Sequence, residues 1–187
     1  MESVIPPNSE FAHQLTSLHK VKAPIQTITG DATNPLLGGR PAIIAHSCNS
    51  AGHWGAGFVL SLNSRWKEPM EEYMKLTFPT EKELVQFVEV SPSIMVANII
   101  GQGDPSETIP VDYSALRKGF ATVRQKAIET GAGVHMPKVG SGLGRGDFEK
   151  VKQIVEEELS EHGIDVTIYE RVPGYVKIQG SIYKRGN

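Results

Sequence analysis

Hydrophobic positions recur along the chain with two different periods, and the switches between them outline alternating strands and helices. IQTIT (25–29), rich in β-branched residues and closed by Gly30-Asp31, predicts a strand. PAIIAH (41–46) is a continuous apolar run of the kind carried by a strand buried on both faces. In AGFVLSLNSRW (56–66), Phe58, Val59, Leu62 and Trp66 recur near every 3.6 residues and predict a helix, and Pro69 opens a second short one, PMEEYMKL. LVQFVEV (84–90) and IMVANII (94–100) flank Ser-Pro-Ser and predict a hairpin. Leu116, Phe120, Val123 and Ala127 share one face of a helix over 112–130. GVHMP (133–137) predicts a strand, 147–163 an amphipathic helix stopped by Gly163, and DVTIYE (165–170) a last strand. Outside this series, EFAHQLTSL predicts a short helix, and 174–187 alternates well enough for an added strand or hairpin, with Lys184 and Arg185 in a solvated tail.

Strands separated by helices imply an α/β fold with helices on both faces of a central sheet, and such folds bind ligands beyond the carboxyl ends of the strands. The glycines gather at those ends. Gly30 follows the first strand, Gly52, Gly55 and Gly57 the second, Gly101 and Gly103 the hairpin, and Gly140, Gly142, Gly144 and Gly146 the strand at 133–137. At 187 residues the chain is one domain's worth and can bury about 70% of its unfolded surface, so its core needs no staples. The absence of repeats or low-complexity tracts fits a body over 22–171 with extensions at 1–21 and 172–187.

A net charge of -2 gives no field for holding nucleic-acid backbones non-specifically. The single Cys48 excludes an internal disulfide and Cys-rich zinc modules, and fits a reducing compartment, the cytoplasm with access to the nucleus. No apolar run reaches signal or membrane length, so no membrane association is expected, and no His/Asp/Glu spacing resembles a metal ligand set. Neither a cofactor nor a metal is expected.

HSCNSAGHWGAG (46–57) runs from a buried strand into a helix, and KVGSGLGRGD (138–147) repeats the arrangement, so both offer free amides to an anion. No Gly-Lys-Ser/Thr closes either loop, and the dinucleotide spacing G-x-G-x-x-G is absent from the first and only loose in the second. A nucleotide diphosphate with two sugars fits these two loops and the acidic residue after the first strand.

With ITGDAT (28–33), HSCNSAGHWGAGFVLSLNSRW, VHMPKVGSGLGRGDF and VTIYE in this order, residues 22–170 resemble the macrodomain family, a three-layer α/β/α module with a mixed central sheet that binds ADP-ribose. HSCN and HWGAG are most similar to its ADP-ribose-1″-phosphate phosphatase and terminal ADP-ribose protein glycohydrolase branches. The resemblance implies that Asp31 accepts from the adenine amino group, with Ala32 offering its amide and Tyr169 lying against the base. It implies that Gly55, Ala56 and Gly57 face one phosphate, that Gly140, Ser141, Gly142, Leu143 and Gly144 wrap the diphosphate, and that Asn49 bonds the distal ribose. His46 matches a histidine functional in the phosphatase branch and is either a proton carrier or a strand-end histidine satisfied by backbone. His53 lines the loop rim or is simply solvated, Trp54 covers the distal ribose or packs the loop, and Cys48 is a small buried residue.

The glycohydrolase branch carries a nucleophilic Lys after the central hairpin and an Asp in the second loop. Here those places read NIIGQGD and Gly144, while Asp147 precedes FEKV as a simple helix N-cap and Asp104 is a loop carboxylate. The expected chemistry is therefore water attack, with His46 and Asn49 as the catalytic pair, releasing phosphate or an ester-linked acceptor from the distal ribose. The alternatives are a non-catalytic reader of ADP-ribose, free or carried on protein or nucleic acid, and an interaction domain without a nucleotide site. A monomer is expected.

Overall fold

The structure, a computed structural model, describes residues 21–171, 175–178 and 181–184. The short helix expected around EFAHQLTSL lies outside the described residues. In chain order the elements are β1 (Ile25–Thr29), β2 (Ala42–Asn49), α1 (Phe58–Asn63), α2 (Glu68–Met74), β3 (Val85–Ser91), β4 (Ile94–Gln102), α3 (Tyr113–Thr130), β5 (Gly133–Pro137), α4 (Phe148–Glu158), a 3₁₀ turn (Ser160–His162) and β6 (Val166–Glu170). Tyr175–Ile178 (β7) and Ser181–Lys184 (β8) form a separate antiparallel pair.

Six strands form one sheet in the order β1-β6-β5-β2-β4-β3, parallel throughout except for β3, which returns antiparallel along β4. This is the mixed sheet of the expected α/β/α sandwich. β2 is paired on both sides, and Ala42 to Ala45 are all buried, so both of its faces must be apolar. Ile44 and Cys48 point to a layer formed by α1 and α2 with Leu62 and Tyr73, whereas Ile43 and Ala45 point to α3 and α4 with Leu116, Phe120, Val151 and Val155.

α1 is shorter than the periodicity of 56–66 predicts. Ser64 turns its hydroxyl back onto the Ser61 carbonyl at 2.8 Å, a side-chain bond that competes with helix propagation, and α1 ends at Asn63. α4 likewise stops at Glu158, gives way to the 3₁₀ turn and closes on Gly163 in the left-handed conformation (φ 79°). Asp147 caps α4 by accepting from the Glu149 amide at 2.9 Å. No helix among the described residues is long and apolar enough to cross a membrane.

α3 lies so close to β4 that a Cβ on Gly119 would sit 2.4 Å from Ile99 Cγ2. Gly119→Ala should therefore destabilise the fold by about 1–3 kcal/mol despite raising helix propensity, because overpacking at this contact outweighs the propensity gain. The urea midpoint reads this directly; an unchanged or higher midpoint would contradict the close packing.

Candidate ligand site at the carboxyl edge of the sheet

β2 and β5 are neighbours, yet β2 continues into α1 on one face and β5 into α4 on the other. Adjacent parallel strands whose connections leave in opposite directions open a crevice at their carboxyl ends, the usual ligand position in such sheets. The loops 50–57 and 138–147 flank that crevice. They meet where Leu143 of the second lies 3.4 Å from the place a Cβ of Gly57 would occupy.

The first loop is shaped from within by Asn49, at a bulge where the β2–β4 register shifts. Its Oδ1 accepts from the amides of Ala51 (3.1 Å) and His53 (3.0 Å), and its Nδ2 donates to the His53 carbonyl (2.6 Å). Tyr73, wholly buried on α2, sets its hydroxyl 2.6 Å from the Asn49 carbonyl and 2.9 Å from Asn49 Oδ1, and accepts from the Gly52 amide at 3.2 Å. Gly52 has φ 90° and faces the Phe78 ring so closely that a Cβ would lie 2.9 Å from it, so no other residue fits there. Beyond this knot, no described residue accepts from the N–H groups of Gly55, Ala56 or Gly57.

His46 lies beneath the same loop, 1% exposed, with the Trp54 ring edge-on at 5.5 Å. Its Nε2 is 2.6 Å from Asn98 Oδ1, and Asn98 Nδ2 donates to the Pro69 carbonyl at 2.9 Å, so Asn98 presents an acceptor and Nε2 must carry the proton. The Cys48 thiol lies 3.8 Å from Nε2 and 3.9 Å from Nδ1, beside the ring and not aimed at either nitrogen. Burial lowers the His46 pKa to about 4 and pushes the Cys48 thiol far up, so both are neutral at physiological pH. His46 thus has the burial of a strand-end histidine, held by the Asn98 side chain where a backbone partner was expected. Trp54 is also buried, its indole N–H donating to Asn63 Oδ1 at 3.0 Å, whereas His53 is exposed on the rim.

In the second loop, Gly140 (φ 77°) accepts from the Gly146 amide at 2.8 Å, and the Ser141 hydroxyl donates to the Lys138 carbonyl at 2.8 Å. Gly144 packs against Gln102, so a Cβ would fall 3.1 Å from Gln102 Oε1 and 2.8 Å from the Gly140 carbonyl. No described residue accepts from the amides of Gly142, Leu143 or Gly144. Arg145 reaches across to the carbonyls of Pro105 (2.6 Å) and Glu107 (3.0 Å), fastening this loop to the one after β4. In that third loop, the amide and hydroxyl of Ser106 hold the Asp104 carboxyl below the usual carboxylate range.

The loop after β1 lies at the same carboxyl edge, beyond β6. Asp31 Oδ1 accepts from the Thr33 amide (2.9 Å) and hydroxyl (2.7 Å), and Arg65 of the α1–α2 turn donates to the same hydroxyl at 2.9 Å. Tyr169 is 4% exposed and lies under this loop. Its hydroxyl accepts from the Leu36 amide at 3.0 Å and lies 2.8 Å from His135 Nδ1, and its ring packs on Gly30.

No family model matches the chain. A Streptomyces coelicolor macrodomain protein of known structure is 36% identical, with a TM-score of 0.69, and the match covers 79% of this chain and 99% of that one. This chain belongs to the macrodomain family. A Bacteroides thetaiotaomicron protein of unknown function is 39% identical, with a TM-score of 0.75, over 80% of this chain and 99% of that one. Among curated proteins, the macrodomain is 25% identical over 159 residues to the chromodomain-helicase-DNA-binding protein 1-like of Danio rerio, covering 78% of this chain but 15% of that protein's length. It is also 25% identical over 145 residues to the ADP-ribose 1″-phosphate phosphatase of Candida albicans, covering 71% of this chain and 92% of that enzyme.

In this macrodomain Gly57 and Leu143 bring the loop after β2, with Asn49, Gly55 and Ala56, against the 140–144 run, and Asp31 and Ala32 lie in the loop beyond β1. Tyr169 and His46 are buried beneath their loops. Tyr73, Asn98, Gln102 and Arg145, which organise the edge, were not singled out in the sequence. Tyr73 reads as an ordinary core aromatic in PMEEYMKL, and Arg145 as one more charge among glycines. A cavity of about 140 Å³ lies at the opposite edge, between Pro41 and Met95, away from all these groups. No group of three or more His, Cys, Asp or Glu among the described residues could hold a metal.

The neutral His46 has a measurable consequence. A histidine with a pKa of about 4 when folded and an ordinary value when unfolded adds stability above the unfolded pKa, which is lost as pH falls towards 4. His135, also held near 4 by burial and by Arg40, acts in the same sense. Unfolding free energies from urea titrations should fall from pH 6.5 to 4, less steeply in a His46→Gln variant by on the order of 3 kcal/mol over the window. Equal slopes would contradict a buried neutral imidazole.

Proposed function

We propose that this macrodomain binds ADP-ribose or an ADP-ribose derivative in the crevice between β2 and β5. One observation carries the reading: two runs of three consecutive backbone N–H groups, Gly55–Gly57 and Gly142–Gly144, have no acceptor among the described residues and belong to loops that touch at Leu143. Successive free amides make a concave anion site, and two of them suit a diphosphate. Asp31, turned by Thr33, and the Ala32 amide take the adenine. Tyr169 supports that end from below by holding Leu36, and Gly140 and Ser141 give the second loop its shape. Asn49 meets the distal ribose. The ligand is either the free nucleotide or one carried on a protein or nucleic acid, and the binding unit is a monomer of the cytoplasm or nucleus.

A second reading, hydrolysis of a phosphate or ester at the distal ribose, is favoured by the similarity to the Candida albicans phosphatase across 92% of that enzyme. In that reading the amides hold the developing charge and Asn49 orients the water. His46 then supports the loop from beneath.

Calorimetry should show saturable ADP-ribose binding; none at millimolar ligand would overturn the reading. Asp31→Ala should cost about 1.5–3 kcal/mol for ADP-ribose and leave ribose 5-phosphate unaffected, and equal losses would contradict the adenine assignment. Release of phosphate from ADP-ribose 1″-phosphate, or of ADP-ribose from an ester conjugate, above an Asn49→Ala control decides for the hydrolase. No release decides for the reader.

A further inference from the structure

We infer that Tyr73 is a positioning residue that fixes the Asn49 carboxamide as a hydrogen-bond donor towards the ligand, and so sets selectivity for the distal ribose. The inference rests on the ADP-ribose reading. Asn49 Oδ1 is ringed by the amides of Ala51 and His53 and by the Tyr73 hydroxyl, at 3.1, 3.0 and 2.9 Å. Nδ2 spends one hydrogen on the His53 carbonyl at 2.6 Å. Rotating the amide by half a turn would set its NH₂ against donors and its oxygen against a carbonyl, so only one orientation is compatible with the loop. What remains is one Nδ2 hydrogen with no acceptor among the described residues. Asn49 therefore offers a ligand an N–H and no acceptor, and reads an oxygen lone pair.

Tyr73 is the member of this knot that comes from outside the loop. It is wholly buried on α2, and α2 is itself clamped to the sheet through Pro69 and Glu72, whose carbonyls accept from Asn98 Nδ2 and Gln86 Nε2, both at 2.9 Å. His46 Nε2 completes the clamp by holding Asn98 Oδ1 at 2.6 Å. The bonds among Asn49, Ala51 and His53 are local and would travel with the loop, whereas the Tyr73 hydroxyl ties Asn49 and Gly52 to a fixed element. Removing that hydroxyl unties Asn49 and Gly52 from α2, so the carboxamide moves with its loop, and leaves the diphosphate amides at Gly55–Gly57 and Gly142–Gly144 untouched.

The test is calorimetry of wild type and Tyr73→Phe with ADP-ribose and with ADP, which lacks the distal ribose. Tyr73→Phe should weaken ADP-ribose about 3- to 10-fold and ADP less than about 2-fold. Equal losses for both nucleotides, the result of a merely structural role, would overturn the inference, and so would no loss for either. Asn49→Asp keeps the acceptor for Tyr73 and removes the donor, so it should abolish the preference for ADP-ribose over ADP; a retained preference overturns the donor assignment even if Tyr73→Phe does not fold. Failure of wild type to bind ADP-ribose would defeat the underlying reading, whereas binding with unaltered selectivity in both variants defeats this inference alone.

Discussion

Strand β2 is hydrogen-bonded on both sides, so its last residues cannot drift out of the sheet; they must leave it abruptly, and the chain must turn within a few residues to start α1 on one face. The bulge at Cys48 and Asn49, the Asn49 side chain folded back on the loop and the left-handed Gly52 against Phe78 are the local answer to that constraint. Tyr73 and the Asn98–His46 pair beneath it are the tertiary answer. The exposed turn that results is rigid where it is buried and leaves its amides unpaired where it is not. A parallel solution at the end of β5, fastened by Arg145 instead of an asparagine knot, supplies the facing loop.

On the proposed reading, the same constraint lets a chain of near-zero charge hold a doubly anionic ligand. Backbone dipoles would supply the attraction, so net charge can stay at -2 without a cationic side chain between the loops. The groups beneath are neutral for a related reason. An imidazolium at His46 or a thiolate at Cys48 would sit uncompensated in an apolar layer, and burial drives each towards its uncharged form. Buried polar side chains at this edge thus act through hydrogen-bond geometry.

Much of the fold was legible in the sequence because it depends on local pattern. The apolar run at 41–46, the hairpin around Ser-Pro-Ser and the glycines at strand ends all express the rules of a buried strand or a sharp turn in adjacent residues. The candidate loops were legible for the same reason. What was not legible depends on long-range pairing. Nothing in HSCN reveals that His46 faces Asn98, fifty-two positions away, so the side chain that binds its imidazole was not readable there. Tyr73 looks like a core aromatic in sequence and Tyr169 was singled out only by the family resemblance, and only the folded chain turns their hydroxyls onto loop amides. The lengths of α1 and α4 differed from the periodicity because Ser64 and the turn after Glu158 end them by local hydrogen bonding that hydrophobic spacing does not encode.

The central claim is that backbone amides of two converging loops form the anion site. Titration of ¹⁵N-labelled protein with ADP-ribose, followed by amide chemical shifts, tests it at single residues. The account predicts that the largest shifts fall on Gly55, Ala56 and Gly57 together with Gly142, Leu143 and Gly144, moving in step along one binding curve. Saturable binding that leaves both runs unshifted, or perturbs only the cavity between Pro41 and Met95 at the other edge of the sheet, would contradict it.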